Sequence, residues 1–231
     1  MKQKWQSIRG FFRKNSRKLI PLLLLAAILL PIVVDNSYVL GICTKILLYM
    51  LLASSVNVIN GYSGQFAIGH AGFLCVGAYT AAILMARANV PFFLAMLGAG
   101  VMTALFGMLV SFPIGKLSGI YLGFVTLGFS EIVRIICLNW TPVTGGPMGI
   151  KAIPGPKIFG FSLQSSRGYY YIIFTVLVIM VFCTSRILKS RTGRAWISIR
   201  ENGAAAASIG INTAQYKTMN IMYATFWEGC A

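Results

Sequence analysis

Long apolar runs, separated by short polar or proline-bearing links, set the pattern of this chain. A helix needs roughly 20 residues to cross a hydrocarbon core of about 30 Å. By that measure the runs predict membrane-spanning helices over residues 19–34, 38–59, 65–86, 90–113, 119–138 and 168–185, and a further helix that begins at Thr218. The pattern therefore predicts an all-α, polytopic helical bundle with about six complete spans and a truncated seventh that stops at Ala231.

The start of the chain has two interpretations. Residues 1–18 are basic, contain no acid and precede a short apolar core, as in a cleaved signal peptide. However, Pro21 and Pro31 bracket that core, and Asp35 follows it in place of a small-residue cleavage site. We therefore predict a basic cytoplasmic N-terminus over residues 1–18 and a retained first span, followed by one transmembrane domain over residues 19–231.

Basic residues are divided unevenly between the links, and this predicts the orientation. With the N-terminus inside, the cytoplasmic links carry fourteen Lys and Arg residues, against four in the opposite links, namely Arg87, Lys151, Lys157 and Arg167. Lys and Arg accumulate in cytoplasmic loops. The distribution therefore places the long polar stretch 186–217 in the cytoplasm.

The composition argues against several other classes of protein. Hydrophobic residues make up 57% of the 231 and charged residues only 10%, whereas soluble domains are about one-quarter charged. The net charge of +16 does not indicate a nucleic-acid partner, because the bases lie at the ends of apolar runs. One histidine, four acids and five cysteines without a CxxC predict no metal site. Gly115 and Lys116 are followed by Leu117, so no P-loop is present; we predict no enzyme activity and no cofactor.

The polar stretch 186–217 has a mild helical periodicity. Small and apolar residues recur in it at steps of three and four, namely Trp196, Ile199, Gly203, Ala206 and Gly210. Such a face suits a short helix that lies in the groove of another protein. A basic loop anchored at the lipid surface explains the same spacing.

The start of the predicted third span is unsuited to a plain lipid-facing helix. Glycine permits a break or a close helix contact, and polar groups at membrane depth are tolerated where they meet protein or line a wet cavity. A broken helix beside a translocation path explains both the glycines and the polar residues of this stretch. The alternative is ordinary close helix packing, with His70 bonded to a neighbouring carbonyl. The residues concerned are Asn57, Asn60, Gly61, Ser63, Gly64, Gln65, Gly69, His70 and Gly72.

Glu131 and Arg134 lie three residues apart in the predicted fifth span and therefore on one helical face. Each alone costs about 2.5–3.5 kcal/mol at the centre of a membrane. They pair with one another or extend to the membrane surface in one interpretation. In the other they form a polar lining for a zwitterionic solute.

Three stretches together resemble the permease subunits of branched-chain amino acid ABC transporters, of the LivM type. They read GYSGQFAIGHAGFLCVGAYTAAIL from Gly61, TLGFSEIVRIICLNWTPVTGGPMGI from Thr126 and GRAWISIRENGAAAASIGINTAQYK from Gly193. The resemblance runs from about Leu40 to the last residue, and it rests on the order and spacing of the stretches. Urea and short-amide permeases look similar over the same stretches, so the family is better defined than the solute.

The resemblance implies a multi-pass permease of the bacterial inner membrane that hydrolyses nothing itself. Its implied partners are a second permease subunit, two cytoplasmic ABC ATPases that use the ATP, and an extracytoplasmic binding protein that delivers the amino-acid or amide solute. The family's coupling helix, which contacts the ATPase, matches the stretch from Gly193 to Ile211. The matching residues are Gly193, Arg194, Ala195, Arg200, Glu201, Ala205, Ala206, Gly210 and Ile211.

The chain departs from the family pattern in two respects. Asn202, Gly203 and Ala207 stand where the family commonly has acids, and the chain stops inside the span that follows the coupling helix. The second departure predicts a fragment or a prematurely ended reading frame. Two other functions therefore stay open: an ATP-independent secondary carrier, which requires a functional intramembrane acid, and a non-transporting membrane scaffold.

Overall fold

A computed structural model describes residues 27–33, 36–114, 120–158, 161–162 and 164–231. Helices dominate this part of the chain. In chain order the elements are α1 (residues 27–33), α2 (Ser37–Asn57) with a π-helical turn (Val58–Tyr62), α3 (His70–Ala86), α4 (Phe92–Ile114), α5 (Ile120–Asn139), α6 (Thr141–Thr144), a 3₁₀ turn (Gly146–Met148), the strands β1 (Lys157–Ile158) and β2 (Phe161–Ser162), α7 (Ser166–Lys189), α8 (Arg191–Glu201), α9 (Gly203–Ser208) and α10 (Thr213–Cys230). The two strands form one short antiparallel pair.

The predicted class, a polytopic bundle of membrane helices, is confirmed. Within the described residues, four helices are long and apolar enough to cross a membrane: Ser37–Tyr62, Phe92–Phe112, Tyr121–Asn139 and Ser166–Lys189. They match the predicted second, fourth, fifth and sixth spans. The predicted basic N-terminus and most of the first span lie outside the described residues, as does the link that contains Lys116.

The third span differs from the prediction. The predicted span covers residues 65–86, but α3 begins only at His70 and is 17 residues long, so the chain is broken before it, as one of the two interpretations had it. Gly64, with a φ of +68°, redirects the chain after the π-helical turn, and the residues that follow it stay non-helical as far as Gly69. A backbone with positive φ favours glycine and ends the regular helix at this point.

The last helix begins five residues earlier than predicted and lies inside the bundle. The side chain of Asn212 accepts a hydrogen bond from the Gln215 backbone, so α10 starts at Thr213 and not at Thr218. Towards its C-terminal end α10 is almost wholly buried. Since α10 contacts α2, α3, α4 and α8, it is the helix around which the described part of the bundle is packed.

Small residues allow α10 to approach its neighbours closely. A Cβ atom added to Gly77 of α3 would lie 2.6 Å from the Cα of Gly229, so the two glycines bring the helix backbones into contact. Gly107 of α4 lies against the side chain of Thr225 of α10. Close packing of small residues is a main source of association between helices in lipid.

Candidate functional site

Residues 63–69 form a non-helical segment between the second span, which ends at Tyr62, and the helix α3 of the third span. Burial alternates along it, as in a strand whose successive side chains point to opposite sides, although the backbones of Ser63, Gly64 and Gly69 are not themselves extended. Ser63, Gln65, Ala67 and Gly69 are buried, whereas Gly64, Phe66 and Ile68 are exposed. We call residues 63–69 the extended segment.

Side chains from both sides satisfy the backbone of the extended segment. The amide of Asn60 pairs with Ala67, accepting from its N–H at 3.2 Å and donating to its carbonyl at 3.4 Å. Thr126 Oγ1 accepts from the Ile68 N–H at 3.1 Å, and Ser130 Oγ donates to the Gly69 carbonyl at 2.7 Å. Non-helical backbone at membrane depth requires such partners, because lipid supplies none.

Thr126 and Ser130 hold the backbone of this candidate site, and the sequence interpretation missed them. They lie four residues apart on α5 and hence on one face, which is the only signal that could have identified them. Ser130 Oγ also accepts from the Gly72 N–H at 3.1 Å, so one hydroxyl joins the extended segment to the first turn of α3.

Replacing Ser130 with alanine tests this arrangement. The change removes the hydroxyl from the Gly69 carbonyl and the Gly72 N–H, which stay bonded to each other at 3.2 Å, and we expect the free energy of unfolding to fall by about 0.5–1.5 kcal/mol. Ser185→Ala is the control, because the Ser185 hydroxyl is exposed and bonds only within its own helix turn in the structure, to the Phe182 carbonyl. Equilibrium unfolding in mixed micelles measures the stability of both variants. Equally small losses of stability for Ser130→Ala and Ser185→Ala would show that Ser130 does not hold the extended segment to α3.

A second polar cluster joins the buried side of the extended segment to α10. Gln65 Nε2 donates to Ser63 Oγ at 2.8 Å and lies 3.3 Å from Asn220 Oδ1 and from the Lys217 carbonyl. Asn220, which is 0% exposed, in turn donates to the Val58 carbonyl at 3.1 Å. Asn220 was also missed, because its partners lie more than 150 residues away in sequence.

The first residue of α3 lies beside a buried acid. His70 Nδ1 is 2.6 Å from Glu228 Oε1, and that oxygen also accepts from Ser55 Oγ at 2.8 Å. Glu228 is 1% exposed. His70 therefore contacts a carboxylate and not the backbone carbonyl of the alternative interpretation. Among the described residues, Glu228 Oε2 and His70 Nε2 are buried without a hydrogen-bond partner.

Glu131 and Arg134 lie away from this cluster. Arg134 Nε donates to Glu131 Oε2 at 3.0 Å and Nη2 to Oε1 at 2.5 Å, so the two side chains pair as one interpretation predicted. Their side chains are 50% and 60% exposed. Glu131 lies eight residues before the end of α5 at Asn139, which corresponds to about 12 Å along a helix. Asn57, on the exposed side of α2, also lies outside the extended segment and lines a cavity of about 190 Å³.

The polar stretch forms two helices, not the single periodic helix that the sequence indicated. Asn202 is extended, with φ −158° and ψ 104°, and its side chain caps α9 by accepting from Ala204 and Ala205. Trp196, Ile199 and Ala206 of the predicted partner-facing side are buried within this chain. Gly193 and Ala195 are buried as well. The prediction therefore fails for these buried residues, whereas Gly203 and Gly210 of the same predicted side are half-buried and exposed.

The opposite side of α9 is the exposed one. Ala204, Ala205, Ala207 and Ser208 are exposed, Ile209 is 75% exposed, and Gly210 turns the chain with a φ of +86°. We call residues 204–210, without the buried Ala206, the α9 surface. Of the remaining coupling residues, Arg194, Arg200 and Glu201 are exposed and Ile211 is half-buried.

Comparisons with known proteins agree on one family. The family described as "Branched-chain amino acid transport system / permease component" matches residues 38–227. The "High-affinity branched-chain amino acid transport system permease protein LivM" of Escherichia coli (strain K12) is 36% identical over 248 aligned positions, which cover 97% of this chain and 58% of the relative. Its counterpart of the same name in Salmonella typhimurium is 36% identical, covering 90% of this chain and 54% of the relative.

A more distant relative is archaeal. The "Probable branched-chain amino acid transport permease protein LivM" of Methanocaldococcus jannaschii is 26% identical, covering 75% of this chain and 60% of its own length. The chain thus spans a little over half the length of the curated relatives it matches. No solved structure matches it significantly.

Proposed function

Because the chain belongs to the family of permease components of branched-chain amino acid transport systems, we propose that it forms part of the solute pathway of an ABC importer. In this proposal it acts with a second permease subunit, two cytoplasmic ATPases and an extracytoplasmic binding protein. It binds no cofactor, and the ATP is used by the partners. Branched-chain amino acids are the proposed solutes. Urea and short amides are the alternative, because permeases for those solutes look similar over the same stretches.

The non-helical start of the third span, before α3, is the observation that carries the proposal. Transporters place their solute sites at discontinuous helices near the middle of the membrane, where exposed backbone and helix ends contact the solute. The extended segment lies at such a break: its buried residues are held by α5 and α10, and Phe66 and Ile68 are about half exposed beside Gly123 of α5. An apolar exposed side suits the side chain of a branched-chain amino acid.

The Glu131–Arg134 pair supports a zwitterionic solute. Charged side chains within a membrane span face a bundle interior or a wet cavity and not lipid. Both side chains are at least half exposed, so in the proposal this face of α5 lies against the pathway or the second permease subunit. The carboxylate and the guanidinium are complementary to the ammonium and carboxylate groups of an amino acid.

The α9 surface is the proposed contact with an ATPase. The distribution of Lys and Arg supports a cytoplasmic position for α8 and α9. The α9 surface is small, apolar and exposed, so a groove in another protein can enclose it.

Ala205→Asp tests this contact. The new carboxylate would be buried without a partner at the interface, and we expect it to weaken ATPase binding at least about tenfold, with ATP-driven uptake lost in proportion. Ala214→Asp is the matched control, because Ala214 is also an exposed alanine but lies in the first turn of α10. Co-purification of the ATPases and uptake into proteoliposomes measure the two effects. Undiminished co-purification with Ala205→Asp would exclude the α9 surface as the contact.

A proton-coupled secondary carrier is the second candidate, and the buried pair of His70 and Glu228 favours it. Carriers of this class use intramembrane acids and histidines as proton relays. Uptake that follows a proton gradient in ATP-depleted vesicles would support this candidate. Uptake that requires ATP and ignores the gradient supports the importer.

A further inference from the structure

Arg200 joins α8 to the break between the α2 helix and α3. Its guanidinium Nη1 donates to the carbonyl of Gly61 at 2.9 Å, although the two residues are 139 positions apart in sequence. Gly61 lies in the π-helical turn that ends the α2 helix. The last carbonyls of a helix have no helical N–H to accept from, and a cation is favoured there by the helix dipole. Arg200 therefore supplies a donor at the point where the helix stops.

The aliphatic part of Arg200 also contacts the extended segment. A Cβ atom added to Gly64 would lie 2.6 Å from Arg200 Cγ and 3.3 Å from its Cα. Gly64 thus packs directly on the arginine stem, and no larger residue fits without displacing it. Arg200 therefore contacts two residues where the α2 helix ends: it donates a hydrogen bond to the Gly61 carbonyl, and its side chain packs against Gly64.

The other end of this connection is the α9 surface. Arg200 is followed by Glu201, to which its Nη2 is bonded at 2.5 Å, and then by Asn202, whose side chain caps α9. Two residues therefore separate Arg200 from the start of α9. Trp196, 1% exposed and bonded through Nε1 to the Tyr216 carbonyl at 3.0 Å, fixes the same helix to the bundle.

From these contacts we propose that Arg200 is a positioning residue that transmits movement of α8 and α9 to the extended segment. This inference rests on the proposed function, and it differs from the role that the resemblance implies for Arg200. An arginine that served the ATPase would direct its guanidinium out of the chain. Here both nitrogens that donate are directed at groups of this chain, and a shift of α8 changes the position of Gly61 and Gly64 directly.

The test compares Arg200→Gln and Arg200→Lys with Arg191→Gln in the assembled complex with its partner subunits. Arg191 is an exposed arginine at the first residue of the same helix and serves as the control. We expect Arg200→Gln to retain the ATPases and their hydrolysis of ATP, while uptake of solute falls about tenfold or more. Arg200→Lys, which keeps one charged donor for the Gly61 carbonyl, is expected to recover part of the uptake. Arg191→Gln is expected to behave as the wild type.

Hydrogen–deuterium exchange supplies a readout that does not depend on transport. Loss of the Arg200 contact frees the end of the α2 helix, so Arg200→Gln is expected to raise deuterium uptake over residues 58–69, with no such rise for Arg191→Gln. Unchanged exchange would overturn the proposal, as would loss of the ATPases from the Arg200→Gln complex or an equal fall in uptake and hydrolysis. Absence of ATP-driven uptake in the wild type would overturn the proposed function itself, and it is visible without any variant.

Discussion

Replacing Glu228 with alanine is expected to lower the free energy of unfolding by about 3 kcal/mol, because the partly buried His70 imidazole loses its hydrogen-bond partner and a cavity is left. The carboxylate is 1% exposed and one of its oxygens holds both His70, at 2.6 Å, and Ser55, at 2.8 Å. Without it, the imidazole at the start of α3 is left among apolar groups. Equilibrium unfolding in mixed micelles, followed by circular dichroism, measures the loss.

Two further variants separate burial from the loss of charge. Glu131→Ala removes an acid of the same type that is 50% exposed, and we expect a loss of no more than about 1 kcal/mol. Glu228→Gln keeps the shape and an acceptor for Ser55, so its loss should fall between the other two. If Glu228→Ala and Glu131→Ala destabilise the protein equally, the buried cluster at the start of α3 is absent.

Replacing Trp196 with alanine is expected to lower the free energy of unfolding by about 3–5 kcal/mol through the cavity that it leaves. Trp196 is 1% exposed, and it belongs to the same core cluster as Val58, Met180 and Ala224. The change also removes the hydrogen bond to the Tyr216 carbonyl. Since Trp196 attaches α8 to the bundle, limited proteolysis near Glu201 should become faster in the same variant.

Trp140→Ala is the matched control for this prediction. Trp140 is 55% exposed, and its truncation creates no internal cavity. We expect a loss below about 0.5 kcal/mol, as for most surface substitutions. Equal losses from the two tryptophans would mean that α8 lies on the surface of the protein, as in the alternative of a basic loop at the lipid interface.

The spans were predictable because length and apolarity determine them locally. A run such as residues 38–59 needs no knowledge of its neighbours to be identified as a membrane helix. The break before α3 was predictable for a similar reason, since Gly64 and the polar residues around it are poor material for a lipid-facing helix. Where α3 begins was not predictable, because it depends on Thr126 and Ser130 of another helix.

The exposed side of the polar stretch was predicted only in part, and the reason is physical. A periodic small and apolar face must be buried, but the pattern does not state whether it is buried in a partner or in the chain itself. Trp196 and Ala206 are buried in this chain, and Gly210 is the one residue of the periodic face that belongs to the α9 surface. Glu228 was likewise unremarkable in sequence, because its partner His70 is 158 residues away.

Thiol labelling tests whether the extended segment lines the solute pathway. In a protein whose five native cysteines are replaced, a cysteine is placed at Phe66 or Ile68, and for comparison at Leu109, which is 67% exposed on α4. The complex is then treated with a small charged thiol reagent, with and without leucine. We predict that Phe66→Cys and Ile68→Cys react rapidly and are protected by leucine, whereas Leu109→Cys reacts slowly and is not. Equal, slow and unprotected labelling at all three positions would contradict the account.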